Sequence, residues 1–455
     1  MPSERVRSPR PVIPWRVGSG RGATEQPNAC GDGETVLSLR FWLVLALTGV
    51  ATGLFAIALM MLLVAVEHLA FGYSSGTFAE GVAQASSQRR MIALAVGGVI
   101  AGVGWFLLRR YTSGQRSEID NALWTGDTTL SFPRSFGTSV LSELVVGLGA
   151  SLGREAAPKL MGGVCGSLLG RFTGLTAGQQ RLLVACGAGA GLAAVYNVPL
   201  GGALLAAEVL YGSVQLPVVL PALTCSWIAT LVGWLYLPSG ATYPSLPNYP
   251  FHGSEMVWAL FAGPLIGLLA VGFIRLIAWV SQPRLHGWGA LVAPLPAFLL
   301  LGVIGLWLPQ LFGNGKGIAL DAFAGTTPLL LLLTLGLLKP LLTALCLGSG
   351  ASGGLFTPTL STGAALGGFL GLAWASLWPG APAGAYAMIG AAAMIGASMQ
   401  APLAGLALVL ELTHSGFGLM VPMIAATVLA TMTVRYLDGY SIYSARLPAL
   451  PGGTK

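Results

Sequence analysis

Long apolar runs, interrupted by glycine and proline, follow one another along most of the chain. FWLVLALTGVATGLFAIALMMLLVAV (41–66) and MVWALFAGPLIGLLAVGFI (256–274) are each long enough to cross the hydrocarbon of a bilayer, which takes roughly 20 apolar residues. Residues 340–410, 71 in succession, contain no Asp, Glu, Lys or Arg. This pattern predicts an all-α polytopic membrane protein.

Other apolar runs are too short or too interrupted to form one clean span. The chain contains 65 Gly and 28 Pro. Both residues are tolerated in membrane helices where neighbours pack closely or bind the freed backbone groups. We therefore expect helices of unequal length, some of which end inside the membrane.

Two blocks of sequence occur twice in the same order. AVYNVPLGGALLAAEVL (194–210) recurs as ASMQAPLAGLALVLELT (397–413), with an offset of 203 residues between Pro199 and Pro402. Upstream, GLGASLGREAAPKLMGGVCGSLLG (147–170) matches GSGASGGLFTPTLSTGAALGGFLG (348–371) with an offset of 201. The matches predict a duplicated helical bundle.

The duplication sets the predicted boundaries. We expect the two membrane repeats at 39–238 and 239–447, and a short tail at 448–455. Residues 1–38 are polar, rich in Pro and Gly, and carry several arginines. This composition predicts a disordered basic tail, which the positive-inside rule places in the cytoplasm.

Composition excludes several other classes of function. Only 9% of residues are charged, and the net charge of +7 belongs to basic loops without the interleaved aromatics of a nucleic-acid site. The five cysteines show no CxxC spacing and the four histidines form no ligand pair, so we expect no metal and no cofactor. An intramembrane enzyme would need paired acids or a Ser/His set, and neither is present at usable spacing. We therefore predict that the protein is not an enzyme.

Duplicated halves with broken helices at matching positions indicate a transport site between the halves. A helix that begins inside the bilayer presents unpaired N–H groups and the positive end of its dipole, which suits an anion. Glycines that only allow close helix packing are the alternative for either block alone. A pure scaffold would not need Arg154 and Glu155 at such a helix start.

The residues in these blocks resemble the CLC family of chloride channels and proton-coupled chloride antiporters. GREAAP (153–158) resembles the GREGP motif of the family, although Ala-Ala replaces Gly-Pro after the glutamate. SGASGGLFTP (349–358) resembles its GxFxP motif, and YSIYSARL (440–447) resembles the segment with its anion-coordinating tyrosine. The resemblance runs from about residue 40 to 447. It is of the prokaryotic type, for which no regulatory cytoplasmic domain is expected.

The resemblance implies a fold and a set of site residues. The fold has two inverted-topology repeats whose broken helices meet at a central anion site, in a homodimer with one pathway per subunit. Glu155 would be the gating and proton-coupling carboxylate, whereas an Arg154–Glu155 structural ion pair is the rival interpretation. The backbone N–H groups of Leu355 and Phe356 and the hydroxyl of Tyr443 would bind the anion.

Two departures from the family pattern leave alternatives open. Near TSGQRSEIDNAL (112–123), the coordinating serine is Ser113 if one residue is inserted, whereas an ungapped match puts Gly114 there. Loss of that serine would alter the preference among chloride, nitrate and fluoride. The inner glutamate that antiporters often carry is replaced by Val209. Glu208 could relay protons instead, or be a buried carboxyl bonded to neighbouring helix termini.

The expected function is therefore transmembrane chloride transport by exchange with protons. The alternatives are an uncoupled chloride channel of the voltage-gated type or selectivity for another anion. The expected partners are the anion, protons, membrane lipid and a second copy of the chain. As a multi-pass protein of a bacterial inner membrane, it would have both termini in the cytoplasm.

Overall fold

The computed structural model describes residues 37–112, 119, 122–123, 128–282 and 288–447. Within these ranges the chain is helical, and its only β-type pairing is a bridge between Gly153 and Gly354. The all-α prediction is therefore confirmed. In chain order the helices are α1 (Leu39–Phe71), α2 (Phe78–Gln84), α3 (Ser87–Tyr111), α4 (Phe132–Gly147), α5 (Ala156–Phe172), α6 (Ala177–Tyr196), α7 (Pro199–Leu205), α8 (Leu216–Gly233), α9 (Gly253–Ser281), α10 (Trp288–Val292), α11 (Pro294–Trp307), α12 (Lys316–Ala324), α13 (Leu329–Gly348), α14 (Phe356–Ala375), α15 (Ala383–Met399), α16 (Pro402–Thr413) and α17 (Met420–Leu437).

Seven helical segments of the described chain are long and apolar enough to cross a membrane. Many of their large apolar side chains are exposed on the outside of the protein, as lipid-facing positions require. The protein is thus a multi-pass membrane protein. The seven segments are Leu39–Phe71, Ser87–Tyr111, Leu216–Gly233, Gly253–Ser281, Trp288–Trp307, Leu329–Gly348 and Phe417–Leu437.

The first pair of matched blocks forms two equivalent loops that meet inside the protein. Gly149 and Gly350, which correspond in the repeat, have φ angles of +103° and +105°, a region that glycine enters without steric cost. Farther along each loop, the N–H of Gly153 donates to the carbonyl of Gly354 and the reverse bond also forms, both at 2.7 Å. Helices α5 and α14 start within a few residues after this bridge, and their start inside the membrane stays a prediction.

The second pair of blocks makes a reciprocal contact between helix starts and carboxylates. Glu208 lies in a π-helical turn after α7 and accepts hydrogen bonds from the N–H groups of Leu403 (3.3 Å) and Ala404 (2.8 Å), at the start of α16. A carboxylate of each half accepts hydrogen bonds from a helix start of the other half. Such reciprocal contacts are typical of two units related by a two-fold axis. The structure thus supports two equivalent halves, whereas their inverted orientation stays a prediction.

Glu411 makes the equivalent contact in the opposite direction. It accepts hydrogen bonds from the N–H groups of Leu200 (3.0 Å) and Gly201 (2.6 Å), at the start of α7. Both carboxylates therefore satisfy donors that a helix start leaves without an intrahelical partner. They are helix caps supplied by the other half of the chain.

Replacing either carboxylate by alanine is expected to lower the free energy of unfolding by about 1–3 kcal/mol, because two backbone donors lose a charged acceptor. Since the contacts are equivalent, Glu208→Ala and Glu411→Ala should cost similar amounts. Thermal unfolding in detergent measures both. The matched control is Glu80→Ala, which removes an exposed cap within its own short helix. A large loss in one variant and none in the other would contradict the proposed equivalence.

Candidate functional site

Glu155 is the residue directly before α5 and is almost completely buried, with 3% of its surface exposed. Its carboxylate crosses to the other half of the protein. The N–H of Phe356 donates to Oε1 at 2.7 Å, and the hydroxyls of Thr357 and Tyr196 lie 3.2 Å from Oε2. The carboxylate therefore lies at the N-terminus of α14.

The starts of α5 and α14 explain why the Glu155 carboxylate lies where it does. The first N–H groups of α14 have no intrahelical acceptor, and the helix dipole makes this end a favourable place for negative charge. A Cβ at Gly153 or Gly354 would collide with the carboxyl group of Glu155. The glycines of the bridge thus leave room for the carboxylate to reach Phe356.

The prediction for Phe356 and Leu355 concerns the same helix start. Phe356 is the first residue of α14 and Leu355 precedes it, and both are buried. In the structure, the Phe356 N–H that was predicted to bind the anion binds the Glu155 carboxylate. Anion binding by the backbone N–H groups of Leu355 and Phe356 stays a prediction.

Tyr196 belongs to this site, although it was not among the residues predicted from the sequence. Its hydroxyl lies 2.6 Å from that of Thr357 as well as near Glu155, and its ring is 5.8 Å from that of Phe356. The guanidinium of Arg154 lies over the same ring, 4.9 Å from its centroid. Arg154 and Glu155 thus both contact Tyr196, Arg154 at the ring and Glu155 at the hydroxyl. A signal was available, because Tyr196 ends α6 within the duplicated block 194–210.

Tyr443 lies in a second cluster. The ammonium of Lys159, one helical turn after Glu155, is 4.2 Å from the centroid of the Tyr443 ring, and the Tyr443 hydroxyl is 4.0 Å from the sulfur of Met399. The segment is held by a hydrogen bond of 2.7 Å from the N–H of Ile442 to the carbonyl of Ser398. Anion binding by Tyr443 stays a prediction.

The remaining candidates divide into those the structure describes and those it does not. Glu208 accepts hydrogen bonds from a neighbouring helix start, and its role as a proton relay stays a prediction. Val209 next to it is half-buried. Ser113 and Gly114 lie outside the described residues. In the described ranges, no three His, Cys, Asp or Glu side chains come together in a group that could hold a metal ion.

Comparison with known proteins decides the family. The family model described as voltage gated chloride channel matches residues 97–435. The chain belongs to this family. Among its relatives is a ClcB-like chloride channel protein of Ralstonia nicotianae, 31% identical over 376 residues that cover 79% of this chain and 85% of the relative.

Two further similarities extend over most of the CLC chain. It is 29% identical over 435 residues to the H⁺/Cl⁻ exchange transporter ClcA of Cronobacter sakazakii, covering 90% of this chain and 89% of that protein. The crystal structure of a slow cyanobacterial Cl⁻/H⁺ antiporter superimposes with a TM-score of 0.77 at 23% identity, covering 90% of this chain and 97% of the other. The second similarity shows that the fold is that of CLC transporters.

Proposed function

We propose that this CLC protein exchanges chloride for protons across the membrane. The observation that carries the proposal is the Glu155 carboxylate bound to the Phe356 N–H at the start of α14. An ionised carboxylate there occupies a position that an inorganic anion would also favour. The exchange activity named for the ClcA relative supports the same function.

The coupling follows from competition for one set of donors. While Glu155 is ionised, its oxygens take the hydrogen bonds of Phe356, Thr357 and Tyr196. A proton on Glu155 removes the negative charge that these donors and the helix dipole stabilise, so the side chain can leave and chloride can enter. When chloride departs, Glu155 releases its proton and returns. Each cycle thus links an anion step to a proton step.

An uncoupled chloride channel is the second candidate, and the surroundings of Glu208 favour it. Its oxygens are engaged at the start of α16, and the next residue is the apolar Val209. Neither position offers a carboxyl that is free to deliver protons from the inner side. Selectivity for nitrate or fluoride instead of chloride depends on the Ser113–Gly114 region.

The proposed assembly is a homodimer in a bacterial inner membrane, with both termini in the cytoplasm. A separate pathway in each subunit is what the resemblance to the family implies. The arginines of residues 1–38 support the cytoplasmic placement of the N-terminus.

Flux from proteoliposomes tests the proposal. Vesicles that contain the purified protein and a high internal concentration of chloride, with the voltage clamped by potassium and valinomycin, should release chloride and take up protons. The external medium should therefore become more alkaline as chloride appears in it. Chloride release without a pH change would favour the channel. Absence of flux with chloride, nitrate and fluoride would overturn the transport proposal.

A further inference from the structure

A second carboxyl is buried beside Glu155 and has no role in the mechanism above. Glu143 lies in the last turn of α4 and has no exposed surface, and among the described residues neither of its carboxyl oxygens has a hydrogen-bond partner. An ionised carboxylate without donors is costly in such an environment, so the site favours the neutral acid. Glu143 is thus placed to hold a proton inside the protein.

The charged neighbours of Glu143 allow that proton to leave. They are Arg154, Glu155 and Glu67. The two carboxylates oppose a negative charge on Glu143, whereas the guanidinium of Arg154 stabilises one. Because these effects oppose each other, Glu143 can alternate between the acid and the carboxylate as Glu155 changes its own charge.

A line of hydroxyl groups leads along the same helix to Glu143. Ser135, Ser139 and Ser142 are buried, and their spacing places them on one face of α4 with Glu143. The hydroxyls of Ser135 and Ser142 have no hydrogen-bond partner in the part of the chain that the structure describes. A serine hydroxyl donates and accepts at the same time, so such a line can hold water and pass a proton.

Two hydrogen bonds show how α4, and the serines on it, are oriented relative to α5. The hydroxyl of Ser139 donates to the carbonyl of Ala157, at the start of α5, at 3.3 Å. The segment before α4 is tied to the other end of α5, where the hydroxyl of Ser167 donates to the carbonyl of Thr128 at 2.7 Å. Helix α4 therefore runs antiparallel to α5, and the serines lead from the far end of α5 toward Glu155.

We propose that Glu143 and the serines of α4 carry protons to and from Glu155. In this step the acid proton of Glu143 passes to the Glu155 carboxylate, and Glu143 remains as a carboxylate beside Arg154 until the serine hydroxyls and intervening water deliver another proton to it. The inference rests on the proposed exchange of chloride for protons. It supplies a proton carrier to a chain in which Val209 stands at the usual inner position.

The test measures chloride and proton flux together in proteoliposomes of the full chain. Glu143→Gln keeps the shape of the side chain but cannot release a proton. We expect chloride efflux within about threefold of the wild type and proton uptake reduced about tenfold or more, since a positioned acid or base contributes at least that much to proton transfer. Glu255→Gln is the control, because Glu255 is also fully buried but accepts a hydrogen bond from the N–H of His252 within its own helix start.

The outcomes separate this inference from the transport proposal. Proton uptake by Glu143→Gln at the wild-type rate would overturn the role of Glu143. Parallel loss of both fluxes would also overturn it, because a structural residue would have that effect. If the wild-type protein moves chloride without protons, anion transport is supported and the role of Glu143 as a proton carrier is overturned. A wild-type protein without any flux would instead remove the transport proposal itself.

Discussion

Glu155→Ala is expected to abolish proton movement while anion efflux continues. The substitution removes the only carboxylate bonded to the start of α14 in the described chain and leaves the Phe356 N–H open to an anion. No group that can change its charge then remains at this position. We expect proton uptake to fall by about 100-fold or more, in line with the loss of a positioned proton carrier. The measurement is simultaneous recording of chloride release and external pH.

A companion variant distinguishes loss of charge from loss of volume. Glu155→Gln retains an oxygen that can accept the Phe356 hydrogen bond, and it keeps the bulk that fills the space beside Gly153 and Gly354. It should lose proton uptake as completely as Glu155→Ala but pass chloride more slowly, since the neutral side chain still competes for the site. Proton uptake that persists in both variants would show that Glu155 is not the coupling residue.

Lys339→Met is expected to cause the largest loss of stability. Lys339 has no exposed surface, and its ammonium donates to the hydroxyl of Ser151 (2.8 Å) and to the carbonyls of Gly313 (2.6 Å) and Leu311 (3.3 Å). Methionine has a similar length and no donor, so three buried acceptors would lose their partner. We expect a loss of about 3 kcal/mol or more in the free energy of unfolding, and a lower midpoint of thermal unfolding in detergent.

The same substitution should also reduce chloride efflux. Ser151 lies in the loop that leads to Glu155, so the lysine fixes the segment from which the carboxylate extends. Lys316→Met is a control for removal of a lysine in the same region, because Lys316 is only partly buried and begins α12 beyond these carbonyls. Its loss of stability should be smaller. Equal losses in the two variants would show that the three hydrogen bonds of Lys339 contribute little.

Much of the architecture could be predicted because it depends on local sequence. A bilayer requires apolar runs of fixed length, so the spans are visible in the chain. The duplicated blocks predict two equivalent halves, and their offset of 203 residues even relates Leu200 and Gly201 to Leu403 and Ala404. That relation could have predicted the reciprocal capping by Glu208 and Glu411, although two roles remained open for Glu208 from the sequence.

The contacts of the site were harder to predict because they join segments that are far apart in the chain. Tyr196 and Thr357 are separated by 161 residues, and Lys339 and Ser151 by 188. Nothing local in the sequence indicates which hydroxyl or carbonyl such a side chain will meet. Glu143 was equally hard to predict, because the local sequence does not show that its buried carboxyl lacks hydrogen-bond partners among the described residues. The motif around Glu155 was enough to identify that residue but not its neighbours.

The reciprocal caps also bear on how the chain is assembled. The backbone partners of Glu208 lie 195 residues later in the sequence. At a synthesis rate of roughly 5–20 residues per second, the first half waits about 10–40 s before these donors exist. Throughout that interval a carboxylate and the bare start of α7 are present in the membrane without their partners. The newly made first half therefore lacks these hydrogen bonds until the second half inserts.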